Sequence, residues 1–375
     1  MGRIAKHLMM ALLLFLGAAP AHAASDPPSC KTVHLADVGW TNVTATTGML
    51  ARVLRGLGYD PEVRVLSIPV TFNGMARKDI DVFLGNWIPA QDSAIKPYLD
   101  DGSIERVRIN LGNARYTLAV PKYLHDEGLT DFADISKFAG PLNHKIYGIE
   151  PGNDGNAHVL KMIAENEFGL GDFTLVESSE QGMLAQVERA VKEQRPIVFL
   201  GWQPHPMNTR FNMAYLSGGD DVFGPNFGGA KVYTTVRKGY LQQCPNVGKL
   251  LENLAFTVDD ENALMAGVMA NGDAERTAQD WLAEHPERLQ TWLDGVTTID
   301  GAPAVQALSD DFAPAATGSI VTRHKIPVGQ WMTDIVEWTK ANGGILDIIS
   351  RAVSTGVTGL TKGMQTIPPL VFVAL

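Results

Sequence analysis

The sequence predicts an α/β fold divided into two lobes. Strand-like and helix-like segments alternate along most of the chain. The 375 residues are 45% hydrophobic and 19% charged, which rules out disorder and supplies more chain than one core comfortably organises. Three of the strand-like runs also end on a glycine followed closely by a tryptophan.

In chain order, Arg3 and Lys6 precede the apolar stretch Leu8–Ala19, and Ala21-His22-Ala23 follows. These are the three parts of a secretory signal peptide over residues 1–23, with cleavage after Ala23. Its apolar centre is far shorter than the roughly 20 residues that span a bilayer. Pro27-Pro28-Ser29 ahead of Cys30 lacks the small-residue context of a lipoprotein. The mature chain is therefore expected free in the periplasm. That compartment is oxidising, so Cys30 and Cys244 are most simply a disulfide, with two buried thiols as the alternative.

Val33–Val38 reads as a strand. Thr44–Leu57 reads as a helix, with Met49, Leu50, Val53, Leu54 and Leu57 on one face and Gly58 to end it. Further strands are expected at Glu62–Ile68, Asp81–Leu84, Ile104–Ile109, Tyr116–Val120, Lys145–Ile149, Ile197–Leu200 and Val232–Val236. Helices are expected at Ala157–Phe168, Gly182–Lys192 and Asn246–Ala255. This alternation argues for largely parallel sheets. Gly39-Trp40, Gly85-Asn86-Trp87 and Gly201-Trp202 follow three of the strands. Glycine lets the chain turn sharply out of a sheet, and ligands of open α/β sheets bind at that carboxyl edge. Three tryptophans delivered there can converge on one cleft.

Indole faces suit a quaternary ammonium ion. It is charged but has no N–H, so only its methyl groups and its field are available for recognition. Each ring contributes ~0.5–2 kcal/mol, and three or four rings approach the ~8 kcal/mol of a micromolar complex.

Other chemistries find little support. Lys and Arg number 31 against 41 Asp and Glu, a formal charge of −10, so nucleic acid is a poor partner. The nine histidines include no His-Glu-x-x-His and no cluster with cysteine, so neither a metal nor another cofactor is expected. Ser178-Ser179-Glu180 lacks the strand-to-helix setting of a nucleophile elbow, and no catalytic residue is assigned. Gly152-Asn153-Asp154-Gly155 is either an anion cradle at a helix start or an ordinary turn and helix cap.

Gly39-Trp40-Thr41, Gly85-Asn86-Trp87, Pro151-Gly152-Asn153 and Gly201-Trp202-Gln203-Pro204-His205-Pro206 resemble periplasmic glycine betaine and choline binding proteins, most of all the choline-binding members. These are the substrate-binding components of ABC importers, and the resemblance covers roughly residues 30 to 312. It implies a type II periplasmic binding fold, with residues 30–112 and 216–312 in lobe 1 and residues 113–215 in lobe 2. It implies an aromatic box of Trp40, Trp87, Tyr116 and Trp202, and it matches Cys30 and Cys244 to a disulfide. Asn153 matches an asparagine that contacts the choline hydroxyl. Asn42 stands where choline binders carry an aspartate, while Pro206 replaces an aromatic of many betaine binders. Choline is the expected ligand, glycine betaine the alternative. The implied partners are an ABC permease and its ATPase, served by a monomeric receptor.

Residues 310–322 read as a linker and residues 323–375 as an amphipathic tail. The tail resembles the N-terminal region of the partner permease, cut off before its first membrane helix, as in a truncated fusion. An interfacial helix pair that tethers the protein to a membrane is the other reading.

Overall fold

β1 (Thr32–Asp37) opens a computed structural model that describes residues 26–312. The expected signal segment 1–23, residues 313–322 of the expected linker and the expected tail 323–375 lie outside the described residues. In β1, Val33 and Leu35 are buried against polar neighbours that are half-exposed, and its last two residues are buried too. Gly39, at φ +77°, turns the chain into α1 (Thr41–Gly56), where Val43, Met49, Leu50, Val53 and Leu54 are fully buried.

The remaining strands are β2 (Asp60–Val65), β3 (Val82–Ile88), β4 (Ile104–Pro121), β5 (Lys145–Tyr147), β6 (Thr174–Val176), β7 (Phe199–Gln203), β8 (Met213–Tyr215) and β9 (Gly229–Arg237). Between and after them run α2 (Asp154–Ala164), α3 (Glu180–Lys192), α4 (Pro245–Asn253), α5 (Val258–Asn271) and α6 (Ala304–Phe312). α6 takes in the first three residues assigned to the linker. Among the described residues the strands form one sheet in the order β2-β1-β3-β9-β4-β7-β5-β6, with β8 on β4.

The sheet is mixed and not largely parallel. β1–β2, β1–β3, β5–β6 and β5–β7 pair parallel, as strand–helix alternation predicts. β3–β9, β4–β7, β4–β8 and β4–β9 are antiparallel. The difference comes from β4 and β9, which run through the middle. β4 is one 18-residue strand where the sequence suggests two, Ile104–Ile109 and Tyr116–Val120. The split survives as a register shift between Leu111 and Ala114, with Asn113 at φ +57°. Residues 104–115 of β4 pair with β9, and residues 115–119 pair with β7.

A second correction concerns glycine. β3 and β7 do not end at Gly85 and Gly201 but continue through Trp87 and Trp202. A Cβ on Gly85 would lie 2.6 Å from Val43 Cγ2, and one on Gly201 would lie 2.8 Å from Ala119 Cβ. These two glycines admit close packing; only Gly39 makes a turn.

Cys30 and Cys244 form a disulfide, both buried, with Cα atoms 5.7 Å apart. It ties the segment before β1 to the start of α4 across a sequence separation of 214 residues. Reduction is expected to cost ~2–4 kcal/mol of stability, mainly by freeing the unfolded chain. Thermal unfolding with and without reductant checks this; an unchanged midpoint in protein shown to be reduced would contradict it.

Candidate functional site

β3, β4, β7 and the turn after β1 surround one small cavity. Trp40, Trp87, Tyr116 and Trp202 all line it, none more than 7% exposed. Tyr116 and Trp202 are directly opposed in the β4–β7 register, which puts both rings on one face of the sheet. Their ring centres are 6.1 Å apart at 80°, and the Trp87 and Tyr116 rings are 6.2 Å apart at 65°. Trp40 enters from the residue before α1, and its Nε1 donates to Glu150 Oε1 at 2.8 Å. Gln91, wholly buried, takes a hydrogen bond from Asn86 and gives one to the Gly85 carbonyl, holding the strand that carries Trp87.

Tyr116 is fixed at its far end as well. Its hydroxyl donates to Asn153 Oδ1 at 2.8 Å. The same oxygen caps α2 by accepting from the N–H groups of Gly155 (2.8 Å) and Asn156 (3.2 Å). The Gly152–Gly155 segment is thus a helix cap rather than an anion cradle, and the residue after the capping Asn153, Asp154, lines the cavity.

The surroundings are acidic. Burial, chiefly, pushes the Asp154 carboxyl up to about 7, and the neighbouring Glu150 adds to the rise. Burial also raises Glu150 and Asp37, each helped by the charge of Glu180. It holds the Tyr116 hydroxyl far above its usual range, with Asp154 and Glu150 contributing. Behind the cavity, burial pushes Glu261 up to about 8, and the Asn42 side chain pulls it partly back. Among the described residues no Lys or Arg lines the cavity. Three buried polar atoms in the cavity wall have no protein partner. Asn42 Oδ1 and Asp154 Oδ2 are acceptors; Trp87 Nε1 is a donor.

Of the six residues singled out from sequence, Trp40, Asn42, Trp87, Tyr116 and Trp202 come together in the cavity wall. Asn153 stands one residue behind it, on the hydroxyl of Tyr116. Asp154 and Gln91 were missed. The signal for Asp154 was its place in the first turn after the Asn153 cap, where a side chain points back toward the sheet edge.

Comparison with known proteins places these observations. A family model described as the substrate binding domain of ABC-type glycine betaine transport systems matches residues 31–284. A solved ABC-transporter choline binding protein in complex with choline is 52% identical, with a TM-score of 0.76, covering 77% of this chain and all of that one. A lactococcal protein in a closed form with glycine betaine is 26% identical, with a TM-score of 0.64, over 70% of this chain and 99% of its own. A glycine betaine/carnitine transport binding protein of Listeria monocytogenes is 31% identical over 160 residues, 43% of this chain and 52% of that relative's length.

Proposed function

Since the chain belongs to the family of substrate binding domains of ABC-type glycine betaine transport systems, we propose that it is a periplasmic receptor that binds choline in the aromatic cage and delivers it to a membrane permease and its ATPase. One observation carries the choice of ligand: a cage for a quaternary ammonium has a buried carboxyl, Asp154, in its wall and no basic residue to receive an anion.

The four rings address only the trimethylammonium group, which choline and glycine betaine share. The far end of the ligand decides between them. Choline ends in a hydroxyl, which donates one hydrogen bond and accepts others. Asn42 Oδ1 and Asp154 Oδ2 offer acceptors and Trp87 Nε1 offers a donor, so both roles can be met. Glycine betaine ends in a carboxylate, which the donor suits and the two acceptors repel. That donor and the family's description favour betaine as the second reading. Choline also carries a net positive charge toward Asp154, Glu150 and Glu180, and betaine does not.

The reading includes closure of two lobes, residues 30–112 with 216–312 against residues 113–215. The register shift of β4 at Leu111–Ala114 falls at the first crossing and supports a hinge there. Trp40 and Trp87 belong to one lobe, Tyr116 and Trp202 to the other. Only a closed form then presents all four rings to one cation.

Trp87→Ala is expected to weaken choline binding at least tenfold, about 1.4 kcal/mol. Calorimetric titration of wild type and variant checks it; an unchanged dissociation constant would remove Trp87 from the cage.

A further inference from the structure

We propose that Glu180 is a positioning residue that latches the cage shut, by closing the open N-terminus of α1 from the opposite half of the sheet. The proposal rests on the receptor reading above and adds to it a residue outside the cavity wall.

Glu180 is the first residue of α3 and is 2% exposed. Its carboxylate accepts from the Thr41 backbone N–H at 2.9 Å and also from the Thr41 hydroxyl. It lies 3.2 Å from His205 Nε2. The Met207 N–H occupies His205 Nδ1 at 2.9 Å, so the ring proton sits on Nε2 and points at Glu180. Three donors thus meet one buried carboxylate that has no Lys or Arg partner among the described residues.

These donors belong to the cage's supports. Thr41 lies between Trp40 and Asn42. His205 follows Trp202 by three residues, and the two rings meet edge to face with centres 5.1 Å apart. α1 begins beside β1, in the β2-β1-β3-β9 half of the sheet; α3 and His205 flank β7, in the other half. The start of α1 has no cap of its own. Its capping position is Trp40, which makes no side-chain cap hydrogen bond, and no acidic residue lies in its first turn. The first N–H groups of a helix need acceptors, and their partial positive charge favours an anion. Glu180 supplies both from across the cleft. A buried carboxylate is costly without such donors, so the contact exists only when the halves meet. When they part, Glu180 and the α1 terminus both return to water. The Trp40–Glu150 hydrogen bond runs between the same halves and closes with it.

A latch that does not touch the ligand changes how long the closed form lasts, not how the ligand is chosen. Glu180→Gln removes the charge and one acceptor. It is expected to raise the dissociation rate of choline at least tenfold, with the association rate within twofold of wild type. Choline and glycine betaine should be affected by the same factor. Thr41→Val keeps the backbone N–H and removes the hydroxyl, so a three- to tenfold rise is expected, less than additive with Glu180→Gln. Stopped-flow tryptophan fluorescence reads these rates, with thermal unfolding of the ligand-free variants as a check of folding. Unchanged dissociation rates in the folded variants, or losses confined to association, would overturn the latch. Should Glu180→Gln fail to fold, an unchanged rate in Thr41→Val would overturn it alone. Wild type that binds neither choline nor betaine would sink the receptor reading and the latch with it; wild-type binding with unaffected variants sinks the latch only.

Discussion

Gly155→Ala is expected to weaken choline binding at least a hundredfold, about 2.8 kcal/mol, although the site lies in a helix where alanine is the better residue. Helix propensity alone favours the substitution by ~1 kcal/mol. Against that, a Cβ at residue 155 would lie 2.0 Å from the Tyr116 hydroxyl oxygen and 2.6 Å from the ring carbon that bears it. Tyr116 has nowhere to retreat. Its ring contacts Trp87, Trp202 and Phe223, and its hydroxyl is held by Asn153. Either the ring leaves the cage or the start of α2 moves away and takes Asp154 with it. The protein should fold with stability lowered by ~1–3 kcal/mol, as overpacking costs, and fail to bind. Calorimetry paired with thermal unfolding checks this, and an affinity within threefold of wild type would show that the ring has room.

Asp154→Asn should weaken choline at pH 8 by at least thirtyfold while leaving glycine betaine unharmed or tighter. Two unit charges about 4 Å apart interact by ~4 kcal/mol at an effective dielectric constant near 20, and thirtyfold asks for about half of that. In the closed arrangement burial disfavours the ionised form of this carboxyl and pushes it up to about 7. A cation binds that ionised form, so wild-type choline affinity should be high above pH 7 and fall as pH drops through it. Asparagine does not titrate, and the variant's profile should lose this step. Equal losses for choline and betaine in the variant would mean that Asp154 shapes the cage without contributing charge.

Much of this site is local and therefore legible in sequence. Gly39-Trp40 is a strand, a turn and a ring in consecutive residues. Trp87 and Trp202 were found for the wrong reason: their glycines looked like exits from a sheet, and only the packing of Val43 and Ala119 shows why no side chain fits there. Tyr116 carries no local mark at all. It joins the cage because β4 and β7 run antiparallel in one register, a pairing of residues 86 positions apart that came only through resemblance. The antiparallel β4 and β9 escaped for the same reason, since strand–helix alternation reports parallel units and says nothing of a long strand returning from the far end of the chain. Asp154 was hidden by its neighbours: Gly152–Gly155 read either as an anion cradle or as a helix cap, and neither reading asks where the carboxyl in its first turn points. A view limited to residue 42 finds the cation's countercharge missing, whereas the cavity wall carries it on α2.

The central claim is that this cage selects a cation ending in a hydroxyl over a zwitterion ending in a carboxylate, through a carboxyl that titrates near neutrality. Calorimetric titration of the wild-type protein with choline and with glycine betaine, at pH 6 and at pH 8, tests it most directly. Choline should bind more tightly at both values and gain affinity from pH 6 to pH 8, while betaine loses affinity as Asp154 ionises, so the ratio widens with pH. Betaine binding as tightly as choline at pH 8, or a ratio that does not change with pH, would contradict it.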